Sequence, residues 1–324
     1  MSKKDIFSPR ENIKPYEYPE LVEYAKIMHH SFWEIDEFDF DKDIRTFKLE
    51  LNTAERGIIK KSMLAINVVE NKVKSFWGHI DSRFPKFEVG MVGGAFSGNE
   101  VVHALCYSEL LERLGLNNQF KKVEEIPCMK GRIDYLTKYL NGVRSRSNKE
   151  FTKSLILFTV LVENVALFSQ FLTLTSFRKY KNELKTFSKI IEATSKDEQV
   201  HAQFGAELLK IIRKENPEWF DGEMEQKIRR AIRKAYKAEV EVLDWIFERG
   251  ELEFLPKESC VQFLRKRFNH SLSLIGYEPE YDIDADLIKP TKYFDRYSTI
   301  TKDFDFFDQR PTDYAKGKSY DDIF

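Results

Sequence analysis

Two short stretches decide how this chain is read: Glu100-Val101-Val102-His103 and Glu198-Gln199-Val200-His201. Each places a carboxylate and an imidazole three residues apart. On a helix such residues share one face about one turn apart, so both can converge on one metal ion. One E-x-x-H is a weak signal; two on separate predicted helices are a stronger one. Two further carboxylates sit where a solvated face is hard to build. Glu163 interrupts Leu155-Ile156-Leu157-Phe158-Thr159-Val160-Leu161-Val162, and Glu70 follows Leu64-Ala65-Ile66-Asn67-Val68-Val69. Alone, Glu70 reads as a solvated helix residue, His103 as an ordinary histidine, and Glu163 as a carboxylate neutralised by Arg or Lys. Together, Glu70, Glu100, His103, Glu163, Glu198 and His201 give one carboxylate on each of four helices and a histidine on two. That is the donor set of a two-metal carboxylate centre in a helical bundle. Oxygen and imidazole donors without thiolate suit iron or manganese.

The rest of the chain supports the helices these motifs need. The periodicity predicts a short helix near Leu21 to Phe32 in an irregular arm over residues 1–40. A long helix follows, capped by Thr53, with Ile58, Ile59, Met63, Leu64, Ile66 and Val69 at helical spacing. Pro85 marks a break, and a helix runs from Gly93-Gly94 to Leu114. Others are expected near Ile133 to Leu140, from a Ser147/Glu150 capping box through Phe177, and over Leu184 to Lys214, Glu225 to Phe247 and Lys257 to Leu274. No strand pair or fixed-period repeat is apparent. The expected fold is all-α, a ferritin-like helical bundle over residues 1–285. A flexible, acidic, aromatic-dotted tail is expected over 286–324.

Composition excludes several other classes. Lys plus Arg number 52 against 53 Asp plus Glu, so no charge excess points to nucleic acid or an anionic membrane as partner. The three cysteines, Cys106, Cys128 and Cys260, have no C-x-x-C spacing, which argues for a reducing compartment. No apolar signal segment follows Met1, so a cytoplasmic location is expected. The apolar run Ile156 to Leu174 contains Glu163, Asn164, Ser169 and Gln170, and reads as a buried helix rather than a membrane span.

At these residues the chain resembles the small, radical-generating subunit of class I ribonucleotide reductase. The order carboxylate, E-x-x-H, Glu, E-x-x-H is the family's. The resemblance implies several further roles. Tyr107, four residues after His103, matches the radical tyrosine, with Leu167 and Phe171 as candidates for its apolar shell and Thr194 as a polar neighbour. Asp197, directly before Glu198, would orient His103. Trp33, in Ser31-Phe32-Trp33, would join Asp197 and His103 in relaying an electron hole. Phe306-Phe307-Asp308-Gln309-Arg310-Pro311-Thr312-Asp313-Tyr314 is similar to the family's tail, which makes Tyr314, and less strongly Tyr320, the tyrosine that passes the radical onward. Ser319-Tyr320-Asp321-Asp322-Ile323-Phe324 resembles the peptide that docks on the large subunit.

The first ligand is Asp in most of the family. Glu70 in its place resembles the manganese-using subclasses, in which the oxidant can stay on the metals instead of Tyr107. The resemblance therefore implies two metal ions per chain (dimanganese, Mn/Fe or di-iron), a homodimer, and a ribonucleoside-diphosphate reductase activity completed by a separate large subunit. Two rival readings use the same scaffold. One is a stand-alone ligand-binding oxidase, which needs no tail. The other is a metal-storage protein, which needs a large metal load.

Overall fold

The computed structural model describes residues 4–73, 76–140 and 145–298. Its α-helices are, in chain order, α1 (Val22–Ser31), α2 (Asp41–Leu49), α3 (Thr53–Val73), α4 (Phe87–Arg113), α5 (Asn117–Phe120), α6 (Pro127–Leu140), α7 (Asn148–Leu157), α8 (Phe168–Lys181), α9 (Lys185–Glu215), α10 (Gly222–Phe247), α11 (Lys257–Leu274) and α12 (Asp295–Ser298). Between α7 and α8 the chain keeps coiling through Phe158–Ala166, but as a π-helix. Among the described residues there is no strand, only an isolated bridge between Leu252 and Leu255. The fold is all-α and ferritin-like, as expected.

Helix ends show where sequence reading was approximate. The cap of α3 is Asn52, not Thr53. Asn52 Oδ1 accepts the Glu55 N–H at 2.9 Å, and the Glu55 carboxylate accepts the Asn52 N–H at 3.0 Å, a reciprocal box. At α7 only half the expected box forms. Ser147 Oγ accepts the Glu150 N–H at 3.4 Å, while the Glu150 side chain pairs with Lys153. Helix α6 starts at Pro127, six residues before the expected Ile133, because proline suits a first helical turn. The short α2 had not been expected.

Helix α4 starts at Phe87 and runs straight through Gly93-Gly94. Gly93 is there for packing. A Cβ on it would lie 2.5 Å from Ile80 Cγ2 and 2.7 Å from the Trp77 carbonyl oxygen. The missing side chain lets the 3-10 turn Trp77–Ser82 press against α4, and this turn carries an indole into the bundle centre.

The core helices are α3, α4, the continuous Asn148–Lys181 helix and α9, which pack on one another. Asn148–Lys181 is long and apolar enough to cross a membrane, but its apolar window is wholly buried inside the fold. It is the central core helix. The N-terminal arm is tied down from α4. Buried Glu88 binds Arg10 at 2.6 Å and accepts the Glu17 and Tyr18 N–H groups, both at 3.0 Å. At the other end the folded body reaches beyond the expected boundary at 285/286. Phe294 is buried against Phe168 and Phe263, and Tyr293 donates to the Leu172 carbonyl at 2.6 Å. Tyr314, Tyr320 and the C-terminal peptide lie outside the described residues.

Gly93→Ala should push the Trp77–Ser82 turn away from α4 and cost about 1–3 kcal/mol, as overpacking does. Gly57→Ala, with nothing within 4 Å of its Cβ, should be neutral or stabilise α3 by up to about 1 kcal/mol. Thermal or urea melts of both variants check the contrast.

Candidate metal centre

Four core elements each deliver one carboxylate to a common point. Glu70 comes from the last turns of α3, Glu100 from α4, Glu163 from the π segment and Glu198 from α9; all are buried. His103 and His201 follow one turn after Glu100 and Glu198. Donor atoms of Glu100, Glu163, Glu198 and His201 lie within 4.8 Å of one another, as do those of Glu70, Glu100 and His103. Glu100 belongs to both groups and so stands between them.

The electrostatics of the cluster are unusual. Two other buried glutamates have an arginine partner. Glu88 has Arg10. Glu239 has the buried Arg132, whose Nε donates to Oε1 at 2.8 Å, and also the Tyr135 hydroxyl at 2.7 Å. Among the described residues, no Lys or Arg pairs with Glu70, Glu100, Glu163 or Glu198. Both oxygens of Glu70 lack any hydrogen-bond partner there, as do Glu100 Oε2, Glu163 Oε2, His103 Nδ1 and His201 Nδ1. Burying unpaired charge costs several kcal/mol per ion. Orphaned oxygen and imidazole donors aimed at one point fit a pair of bound cations.

Protonation follows the same field. Burial pushes the Glu70 carboxyl well above the ordinary range. Burial, helped by repulsion from Glu198, does the same to Glu163. Glu198 moves the other way, because the close approach of the His103 and His201 imidazoles outweighs its burial. Burial opposes charge on both histidines, but the surrounding carboxylates override it and raise their pKa. The imidazoles are the only cationic groups the cluster itself can supply. Metal binding would displace their protons.

The second layer orients the first. His103 Nε2 lies 3.0 Å from Asp197 Oδ2, so Nδ1 faces the cluster, 3.2 Å from Glu198 Oε1. The same Asp197 oxygen accepts from Trp33 Nε1 at 2.8 Å and from Asn99 Nδ2 at 2.9 Å. Trp33 follows α1, is buried, and stacks on the His103 ring with centroids 5.8 Å apart. His103, Asp197 and Trp33 thus form one hydrogen-bonded line. His201 Nδ1 faces Glu100, Glu198 and Glu163 at 3.3, 3.4 and 3.5 Å. Tyr107 is fully buried one turn after His103. Its hydroxyl donates to Thr194 Oγ1 at 3.1 Å, and burial, then the Glu70 charge, raises its pKa. Leu167 and Phe171 are buried on the central helix.

Two participants had not been singled out from sequence. Asn99 shares a helix face with His103, four residues on, and that spacing could have revealed it. Trp77 donates its Nε1–H to Glu163 Oε1 at 2.9 Å. It sits on a 3-10 turn outside any helical periodicity, so no pattern marked it.

The ribonucleotide reductase small-chain family profile matches residues 10–289. The chain belongs to that family. A probable ribonucleoside-diphosphate reductase small subunit from Invertebrate iridescent virus 3 is 24% identical, over 96% of this chain and 86% of the relative. The ribonucleoside-diphosphate reductase subunit beta of Chlamydia pneumoniae is 25% identical, over 87% and 83%. Among solved structures, the ribonucleotide reductase R2 subunit of Clostridium botulinum superposes with a TM-score of 0.80 at 19% identity, covering 93% of this chain and 99% of that one. The dimanganese(II)-NrdF of Streptococcus sanguinis gives 0.76 at 16% identity, covering 90% and 100%. An R2-like ligand-binding oxidase with a Mn/Fe cofactor gives 0.68 at 19%, covering 80% and 94%. These structural likenesses carry the fold; the family assignment rests on the profile.

Saturating Mn²⁺ or Fe²⁺ should raise the melting temperature. Free metal at about 100 times Kd stabilises by about 2.7 kcal/mol per site. Glu70→Gln should lose much of this gain while leaving the metal-free protein at least as stable, because a buried charge is gone. An undiminished metal-induced shift in Glu70→Gln would contradict its place in the centre.

Proposed function

We propose that this small subunit holds two metal ions on Glu70, Glu100, His103, Glu163, Glu198 and His201, stores a one-electron oxidant, and delivers it to a large subunit that reduces ribonucleoside diphosphates. The observation that carries this reading is the set of four buried carboxylates with no lysine or arginine partner among the described residues, joined through His103 and Asp197 to Trp33. When bound, the metal pair supplies redox equivalents after activation by an oxygen species. The residues do the rest. Glu100 spans the two donor groups. Asp197 accepts a hydrogen bond from the Nε2–H of His103 and so presents Nδ1 to the centre. Asp197 also faces the indole N–H of Trp33, which gives that proton an acceptor when Trp33 gives up an electron.

The oxidant is proposed to reside on a manganese-containing pair and not on Tyr107. A phenol that loses an electron must also lose its proton. The Tyr107 hydroxyl faces a neutral threonine hydroxyl, not a carboxylate. Glutamate as first ligand supports manganese, and so do the dimanganese and Mn/Fe structures of similar fold. Protein loaded with manganese and iron, then exposed to oxygen or superoxide, should show a multiline paramagnetic resonance signal with manganese hyperfine splitting, unchanged in Tyr107→Phe. A narrow organic-radical signal lost in that variant would place the oxidant on Tyr107.

The tail is proposed to carry the oxidant through Tyr314, with Tyr320 the weaker candidate, and to dock on the large subunit. Truncation after residue 300 should leave metal binding intact and abolish ribonucleotide reduction with the cognate large subunit. Unchanged oxidase turnover after truncation would instead favour a stand-alone oxidase.

A homodimer is the proposed assembly. Phe87, Met91, Gly94, Gly98, Val101 and Leu105 recur at alternating spacings of four and three along one side of α4. Phe87, Val101 and Leu105 are about half exposed there. Such an apolar stripe needs a cover, and a second copy fits it. Leu105→Arg should halve the mass seen in sedimentation, whereas an unchanged dimer would place the interface elsewhere. The three free, buried cysteines fit a reducing compartment, and the cytoplasm is the proposed location.

A further inference from the structure

Glu163 lies where the central helix leaves α-helical register, in the π segment Phe158–Ala166. A π turn adds a residue to the turn and is usually short, since its geometry is less favourable than the α-helix. Something must hold it. The next residue, Asn164, is held three times. Its Nδ2 donates to the Thr159 carbonyl at 2.9 Å. Its own carbonyl accepts from Arg267 Nε at 2.7 Å, and its Oδ1 accepts from Arg267 Nη2 at 3.3 Å.

Arg267, on α11, is only 4% exposed. Its guanidinium carbon lies 3.7 Å from the centroid of Phe168, the first residue of α8. One side chain therefore grips the π segment and the start of the next helix together. It forms no ion pair among the described residues, unlike Arg10 and Arg132. Burial lowers its pKa to about 9, against a weak opposing pull from Asp295. A buried cation bonded only to neutral groups is costly, and fold stability alone gives little reason to keep it.

We propose that Arg267 is a positioning residue for the metal centre. By fixing the Asn164 carbonyl and stacking on Phe168 it locks the π register, and so aims Glu163 at the cluster. Trp77 holds the Glu163 carboxylate; Arg267 holds the backbone beneath it. Losing one residue of register would rotate Glu163 by about 100° relative to the helix on its far side, off the centre. The proposal rests on the two-metal reading.

Mn²⁺ titration of the full chain, read by paramagnetic resonance and calorimetry, tests both and separates them. Wild type should bind two ions. Arg267→Met should keep the ion held by Glu70, Glu100 and His103 and weaken the one held by Glu163, Glu198 and His201 by about 10–100-fold, as loss of outer-shell support does. Arg267→Lys keeps the charge but cannot make both bonds and stack as well, and should give a smaller loss of about 3–10-fold. Arg132→Met removes a buried arginine from the Glu239 network and should lower the melting temperature with both ions bound normally. Unchanged binding of the second ion in Arg267→Met overturns the proposal; if that variant does not fold, unchanged binding in Arg267→Lys does so. Fewer than two ions on wild type overturns the two-metal reading and the proposal with it.

Discussion

Four buried carboxylates facing one another without a lysine or arginine between them constrain everything else in this fold. The arrangement is costly for a bare polypeptide. Each of Glu70, Glu100, Glu163 and Glu198 gives up hydration and meets like charge. The protein shows elsewhere how it neutralises a buried carboxylate when stability is the aim: Arg132 and Tyr135 clasp Glu239, and Arg10 clasps Glu88. At the centre it withholds that solution. The helices around the cluster, the wholly buried apolar stretch of the helix Asn148–Lys181, and the arm pinned by Glu88 form a frame that keeps the charges together.

The frame also links the centre to the surface. Trp33 lies in the link between α1 and the short 3-10 turn Ile35–Glu37, and its ring stacks on His103. The preceding residue, Phe32, is half exposed. The line His103–Asp197–Trp33 therefore begins at the buried cluster and ends near solvent, with His103 on α4, Asp197 on α9 and Trp33 just after α1. Asn99 adds a third donor to Asp197, fixing a carboxylate that His103 and Trp33 share.

Much of this was legible in the sequence because helices repeat. E-x-x-H motifs and isolated Glu residues in apolar runs survive translation into three dimensions, since residues three and four apart must share a face. Asp197 and Trp33 were legible only through resemblance; nothing in their local pattern predicts a bond across 164 residues. What periodicity hides is departure from it. The π segment at Glu163 has no sequence signature, since what grips it, Arg267 on the Asn164 backbone and side chain, comes from a distant part of the chain. Gly93-Gly94 looked like a boundary and is a packing notch, because local breaker propensity cannot show what packs against a glycine. Thr53 lost the cap to Asn52 by a single residue, the usual margin for helix ends.

A crystal structure of metal-loaded protein, with anomalous data collected at the manganese and iron edges, tests the central claim most directly. The account predicts two metal peaks per chain between α3, α4, the π segment and α9, with Glu100 touching both and His103 and His201 binding through Nδ1. A single peak, or metal bound elsewhere with an arginine or lysine moved in to pair with Glu163, would contradict it.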